Sequence, residues 1–184
     1  MIRRSSVIER LARLGRNRRG DVVVGFALLV PMLVLVTAGI IEFSIYMFER
    51  GRATEATRRG TRVAVVQIPI ASLDDLAEGP VICTGSSGTA SCGGVTIESQ
   101  ASLDAIVADM QRIMPSIAPE NVRVVYSFSG LGEAESGGIK PFVTVSLVGL
   151  QHQYVMLGIV PGMSGTQTFP SFATTEIGGG YQAP

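Results

Sequence analysis

The polar and apolar positions of this 184-residue chain divide it sharply near its start. A leader with seven arginines gives way to twenty uncharged, mostly apolar residues, Val22 to Ile41. At about 1.5 Å per helical residue that run spans roughly 30 Å, the thickness of a bilayer's hydrocarbon core. The helical pattern continues through Phe48 to about Val66, and the next proline is Pro69. One helix of about 45 residues, roughly 68 Å long, is therefore predicted, and less than half of it fits in lipid. Pro31 lies mid-span and removes a hydrogen bond to the carbonyl of Ala27, which predicts a kink or a melted turn. Ala53, Ala56, Gly60 and Ala64 recur three to four apart, a spacing that lets another helix approach closely. Arg52, Glu55, Arg58, Arg59 and Arg62 occupy the other faces, and a solvated stalk is the plainer reading of the same pattern.

After Pro69 the pattern shortens. Val95 to Ser99 alternates weakly as a strand, and Ser102 is placed as the cap of a helix reaching Met114, with Leu103, Ile106, Val107 and Met110 on one face. Asn121 to Phe128 and Phe142 to Leu150 read as β-branched strands joined by an exposed loop from Gly130 to Pro141. Val155 to Val160 extends an apolar stretch, Gly162 to Gly165 turns it, and Thr166 to Thr174 forms a last strand. The Gly178 to Gly180 tail is expected to fray. The predicted class is α+β: a long transmembrane and stalk helix, then a small antiparallel sheet with one packed helix. Its parts are a basic leader (1–20), the helix (21–66) and one distal domain (67–184).

Charge sharpens the picture. Residues 1–62 carry twelve arginines against five acids, whereas residues 63–184 carry three basic residues against ten acids, so a formal charge of zero hides +7 and −7. Arginines that flank an apolar span are explained by anionic lipid and topology, so no nucleic-acid partner is expected. Seven arginines before the span against five after it favour a cytoplasmic N-terminus. Within the leader, Val7, Leu11 and Leu14 fall at helical spacing, which suits either a surface-lying helix or a solvated tail. The span is too long for an ordinary signal h-region and no A-x-A site follows it. The only cysteines, Cys83 and Cys92, bracket a Gly/Ser-rich stretch and read either as a loop-closing disulfide of an oxidising compartment or as two free thiols.

Three blocks carry a family resemblance: Arg19-Gly20 through Phe26-Ala27 to Pro31, then Gly39-Ile-Ile-Glu42-Phe43, then Ala56-Thr-Arg58-Arg59-Gly60-Thr-Arg62. Together they resemble the N-terminal region of TadE-like pseudopilins, which are similar to type IVb pilins and belong to the tight-adherence (Tad, or Flp) pilus machinery. The resemblance covers about residues 19 to 66. It implies a pilin-like fold and cleavage by an inner-membrane prepilin peptidase after Gly20, leaving Asp21 at the mature N-terminus. A glycine there lets the peptide enter a crowded membrane-level site, although Gly20 also suits a simple helix boundary in an uncleaved anchor. Many family members have glutamate five residues after the cut, where this chain has Gly25 followed by Phe26. That carboxylate is understood to meet the N-terminal amine of a neighbouring subunit, so its absence makes a repeating fibre subunit a poor reading and a tip or low-copy role a better one. Asp21 or Glu42 would supply a carboxylate by another geometry, but Glu42, at the outer edge of the apolar run, is expected to be a solvated interfacial acid.

Candidate chemistry is sparse, and no enzyme activity or cofactor is expected. The single histidine, His152, sits between Gln151 and Gln153 and reads as a surface or sheet-edge residue. Gly162-Met-Ser164-Gly165 lacks the spacing of a nucleophile elbow, and Asp74, Asp75 and Glu78 read as a solvated acidic turn rather than a calcium site. The D-x-S-x-S metal motif of the larger Tad proteins is missing. The resemblance thus implies a minor pseudopilin in the inner membrane with its distal domain in the periplasm, entering or priming a pilus. Its partners would be the membrane, the prepilin peptidase, other Tad/Flp pilins or pseudopilins and the assembly platform. The alternative is a permanently anchored periplasmic interaction module.

Overall fold

A computed structural model describes residues 20–74, 76–86, 88–131, 138, 140–155 and 165–179. Helix α1 spans Asp21–Val66. It runs unbroken through Pro31, so the expected melted turn does not form. The ring removes one donor, but its fixed φ remains compatible with the helix around it.

Beyond α1 the chain forms β1 (Val81–Ser86), β2 (Thr89–Ser91), α2 (Gln100–Ile113), a single 3₁₀ turn (Pro119–Asn121), β3 (Val122–Ser127), β4 (Phe142–Leu147), β5 (Gln151–Gln153), β6 (Thr166–Thr168) and β7 (Phe172–Ile177). A five-stranded antiparallel sheet has the order β2-β1-β3-β4-β7, while β5 and β6 pair separately. The fold class is α+β, as expected.

Strand alternation places Val122, Val124 and Tyr126 of β3, with Val143, Val145 and Leu147 of β4, on the buried face. The distal half of α1 and the apolar face of α2 cover that face. Leu103, Ile106, Val107 and Met110 of α2 are buried, as their spacing predicts. The small residues of α1 do bring a second helix close. A Cβ built on Gly60 would lie 2.6 Å from Met110 Sδ and 3.3 Å from Val145 Cγ1, so only glycine admits both neighbours. Thr61 Oγ1 donates to the Thr174 carbonyl at 3.2 Å, joining the helix to the edge strand β7.

Several sequence expectations are corrected. Ser99, not Ser102, caps α2, its hydroxyl accepting from Ser102 N at 3.3 Å. Val95 to Ser99 is not a strand, for Gly93 and Gly94 adopt positive φ just before it and only Ile97 bridges Ala71. The hairpin β1–β2 is absent from the sequence reading, since its Thr-Gly-Ser turn chemistry masks a short alternating run. Cys83 and Cys92 form a disulfide across it. The expected strand from Thr166 to Thr174 is two, separated around Pro170, which has no N–H to donate to a ladder. Phe142 to Leu150 stops as a strand at Leu147, and Gly149 turns at φ 68°. Gly178 and Gly179 do not fray, because their N–H groups donate to the Pro141 and Val65 carbonyls at 2.8 and 3.1 Å. The basic leader up to Arg19, the tip of the Gly130–Pro141 loop, most of Val155–Val160, the Gly162–Ser164 part of the following turn, Asp75 and Gly180 lie outside the described residues.

Candidate assembly helix and its junction with the head

The proximal half of α1 exposes an apolar surface all round. Val22 is 78% exposed, Phe26 69% and Leu29 66%, and the exposed series continues through Phe43 and Phe48. Among the described residues this is one helix long and apolar enough to cross a membrane. Gly20 is its N-cap and, having no side chain, accepts no capping hydrogen bond. A Cβ on Gly25 meets nothing within 4 Å, so glycine there is not demanded by packing inside the monomer.

The helix changes role within about two turns. Glu42, Tyr46 and Glu49 are spaced i, i+4 and i+7, which puts them on one face of α1. The β5–β6 pair lies against that face. His152, at the centre of β5, is 1% exposed, and its Nδ1 lies 2.6 Å from Glu49 Oε2. Its Nε2 faces Glu42 Oε1 at 3.8 Å, a charge-pair distance too long for a hydrogen bond. The Val155 N–H donates to the same Glu42 oxygen at 2.8 Å.

Aromatic rings complete the enclosure. Tyr46 and Tyr154 stand edge-on to the imidazole with centroids at 5.4 and 5.0 Å, and Phe169 stacks on Tyr46 at 4.9 Å. Two expectations fall here: Glu42 is not a solvated interfacial acid, and His152 is not at the surface, since each is only 1% exposed. A 110-residue separation hid the cause, because only tertiary packing lays β5 on the helix. Glu49, Tyr46 and Phe169 also escaped the sequence reading, although the i, i+4, i+7 pattern of two acids around a tyrosine was visible. The two carboxylates occupy opposite ring nitrogens and do not converge, and among the described residues no group of three acidic, histidine or cysteine side chains is arranged to hold a metal.

Further along, Arg58 and Arg62 are exposed, while Gly60 between them is buried under Met110. Arg59 reaches Asp109 of α2 at 4.0 Å. Together with Arg62, Val63 and Val66 this pair lines a shallow surface groove. Arg52 donates from its guanidinium to the Ile113 carbonyl, 2.7 Å from Nε, and so satisfies the C-terminal end of α2. The suggested sites therefore separate physically: Gly25, Phe26 and Pro31 belong to the open apolar half, Glu42 to the junction, Gly60 to the core and Arg58 with Arg62 to the rim.

Residues 20–62 match the family model described as TadE-like protein. No curated protein and no solved structure matches the chain. The matched stretch begins at the glycine that caps α1 and ends at the last arginine of the rim, taking in the apolar half, the junction acids and Gly60 but none of the sheet. The likeness to TadE-like proteins is thus confined to the helix, about a quarter of the chain, and falls on the one described helix long and apolar enough to cross a membrane.

Proposed function

We propose that this protein is a minor pseudopilin that takes part in assembling a Tad/Flp pilus, at initiation, at the tip or as a low-copy component. The observation that carries the reading is the TadE-like match on a helix whose proximal half is apolar all round and whose distal half is built into a folded head. In this reading the leader stays in the cytoplasm, the head faces the periplasm, and a prepilin peptidase cuts between Gly20 and Asp21. The chain works by packing and assembly rather than catalysis. Its partners are the inner membrane, that peptidase, other Tad/Flp pilins or pseudopilins and the assembly platform.

Intact mass and N-terminal sequencing of the full chain, expressed with and without the peptidase, test the reading. The expected result is a mature chain beginning at Asp21 only when the peptidase is present. An unchanged N-terminus in both strains sinks the processing claim and favours the second reading, a permanently anchored interaction module. Gly25 supports that alternative too, because a helix that never leaves the bilayer has no need of the family's assembly carboxylate.

A further inference from the structure

The junction holds more charge chemistry than an anchor needs. His152 is buried between two carboxylates, and among the described residues its Nε2 has no hydrogen-bond partner. Among the described residues the groups facing the ring are Glu42, Tyr46 and Glu49 from α1, Tyr154 just after β5 and Phe169 just before β7. The acids are its only charged neighbours in that set; the tyrosines contribute phenol rings and Phe169 no charge.

The two protonation states of the imidazole are not equivalent in this setting. A neutral ring that donates Nδ1–H to Glu49 turns the bare lone pair of Nε2 toward the Glu42 carboxylate at 3.8 Å, with no water-like surroundings to screen the repulsion. A doubly protonated ring presents an N–H to each carboxylate, and a shift of less than 1 Å converts the Glu42 contact into a charge-assisted hydrogen bond.

We propose that His152 is a proton-operated clasp between the head and the membrane-proximal helix. With both nitrogens protonated it ties Glu42 and Glu49 together and holds the β5–β6 strap against α1 where the apolar span ends. When Nε2 gives its proton to solvent, the strap loosens and the Glu42 face of the helix is uncovered. The clasp closes toward the acid side and opens toward the alkaline side, because only the doubly protonated ring offers an N–H to each carboxylate; the interval from about pH 5 to about pH 8, where imidazoles in general change charge, is the one to scan. This inference holds whether or not the chain enters a fibre.

His152 is the only histidine in the chain, so labelling histidine with ¹⁵N reports this ring alone. The experiment uses the full chain in lipid nanodiscs and follows the two ring nitrogens across that interval. Amide exchange of residues 151–155 and 165–169 is measured in parallel and corrected for intrinsic pH dependence. The expected result is loss of the Nε2 proton toward the alkaline side, with exchange rising at the same midpoint by roughly tenfold or more, the effect of losing one hydrogen bond to a charged group. In Glu42→Gln, which keeps an acceptor but removes the charge, the exchange step should shrink while the rest of the head keeps its protection. A ring that stays in one protonation state throughout, or strap exchange that ignores its titration, overturns the proposal.

Discussion

Met110 Sδ lies 2.6 Å from where a Cβ on Gly60 would stand, so the contact between α2 and the distal half of α1 is made through a missing side chain. Gly60→Val is expected to destabilise the head by about 2 to 3 kcal/mol through overpacking against Met110 and Val145. Gly51 offers the contrast, because nothing lies within 4 Å of its Cβ position. There Gly51→Ala should stabilise by up to about 1 kcal/mol through helix propensity. Denaturant unfolding of both variants beside the parent chain measures the difference, and equal effects of the two would show that Gly60 is not a packing position.

The C-terminus of α2 depends on a side chain from another element. Arg52 donates to the Ile113 carbonyl and lies 5.7 Å from the centre of the Phe48 ring. Arg52→Ala should cost about 1 to 2 kcal/mol, within the range for a hydrogen bond from a charged group after allowance for partial exposure. Arg52→Lys should recover only part of that, since an ammonium cannot reproduce the planar fork. Thermal unfolding gives the ranking, and exchange of the amides near Ile113 shows whether the loss is local.

The Cys83–Cys92 bridge closes a short hairpin at one edge of the sheet. Replacing both cysteines with serine, or reducing the parent protein, should lower stability by about 2 to 3 kcal/mol. Melting with and without reductant checks the magnitude. A double-serine variant that responds to reductant like the parent would exclude the bridge as the cause.

Gly25 separates folding from the proposed part in pilus assembly. Its surroundings are open, so Gly25→Glu should leave the fold and stability of the head unchanged while raising the number of copies recovered in sheared pili. Circular dichroism checks the first expectation and quantitative immunoblotting the second. An unaltered copy number means that the missing carboxylate is not what limits incorporation.

Much of this molecule is legible from local pattern. The apolar run, the length of α1, the apolar face of α2 and the pairing of strands around Gly130–Pro141 follow from periodicity, because burial demands the same residue types wherever such elements occur. Short elements with mixed turn chemistry were harder. Ser99 and Ser102 are both plausible caps by type, and only the backbone, extended at Ser99, decides between them. Val95 to Ser99 alternates like a strand, but the glycine turn before it and the helix after it leave no room for a ladder.

By itself the sequence determined a membrane-length helix, an α+β head and a TadE-like N-terminal segment, since length, apolarity and motif spacing are properties of contiguous residues. Tertiary structure alone decided what Glu42 and His152 are. Nothing local distinguishes a solvated acid at a membrane edge from one covered by a strand more than a hundred residues later. Folding brings them together because β5 must lie on the helix to bury Phe169 and Tyr46, and that burial draws a histidine between two carboxylates.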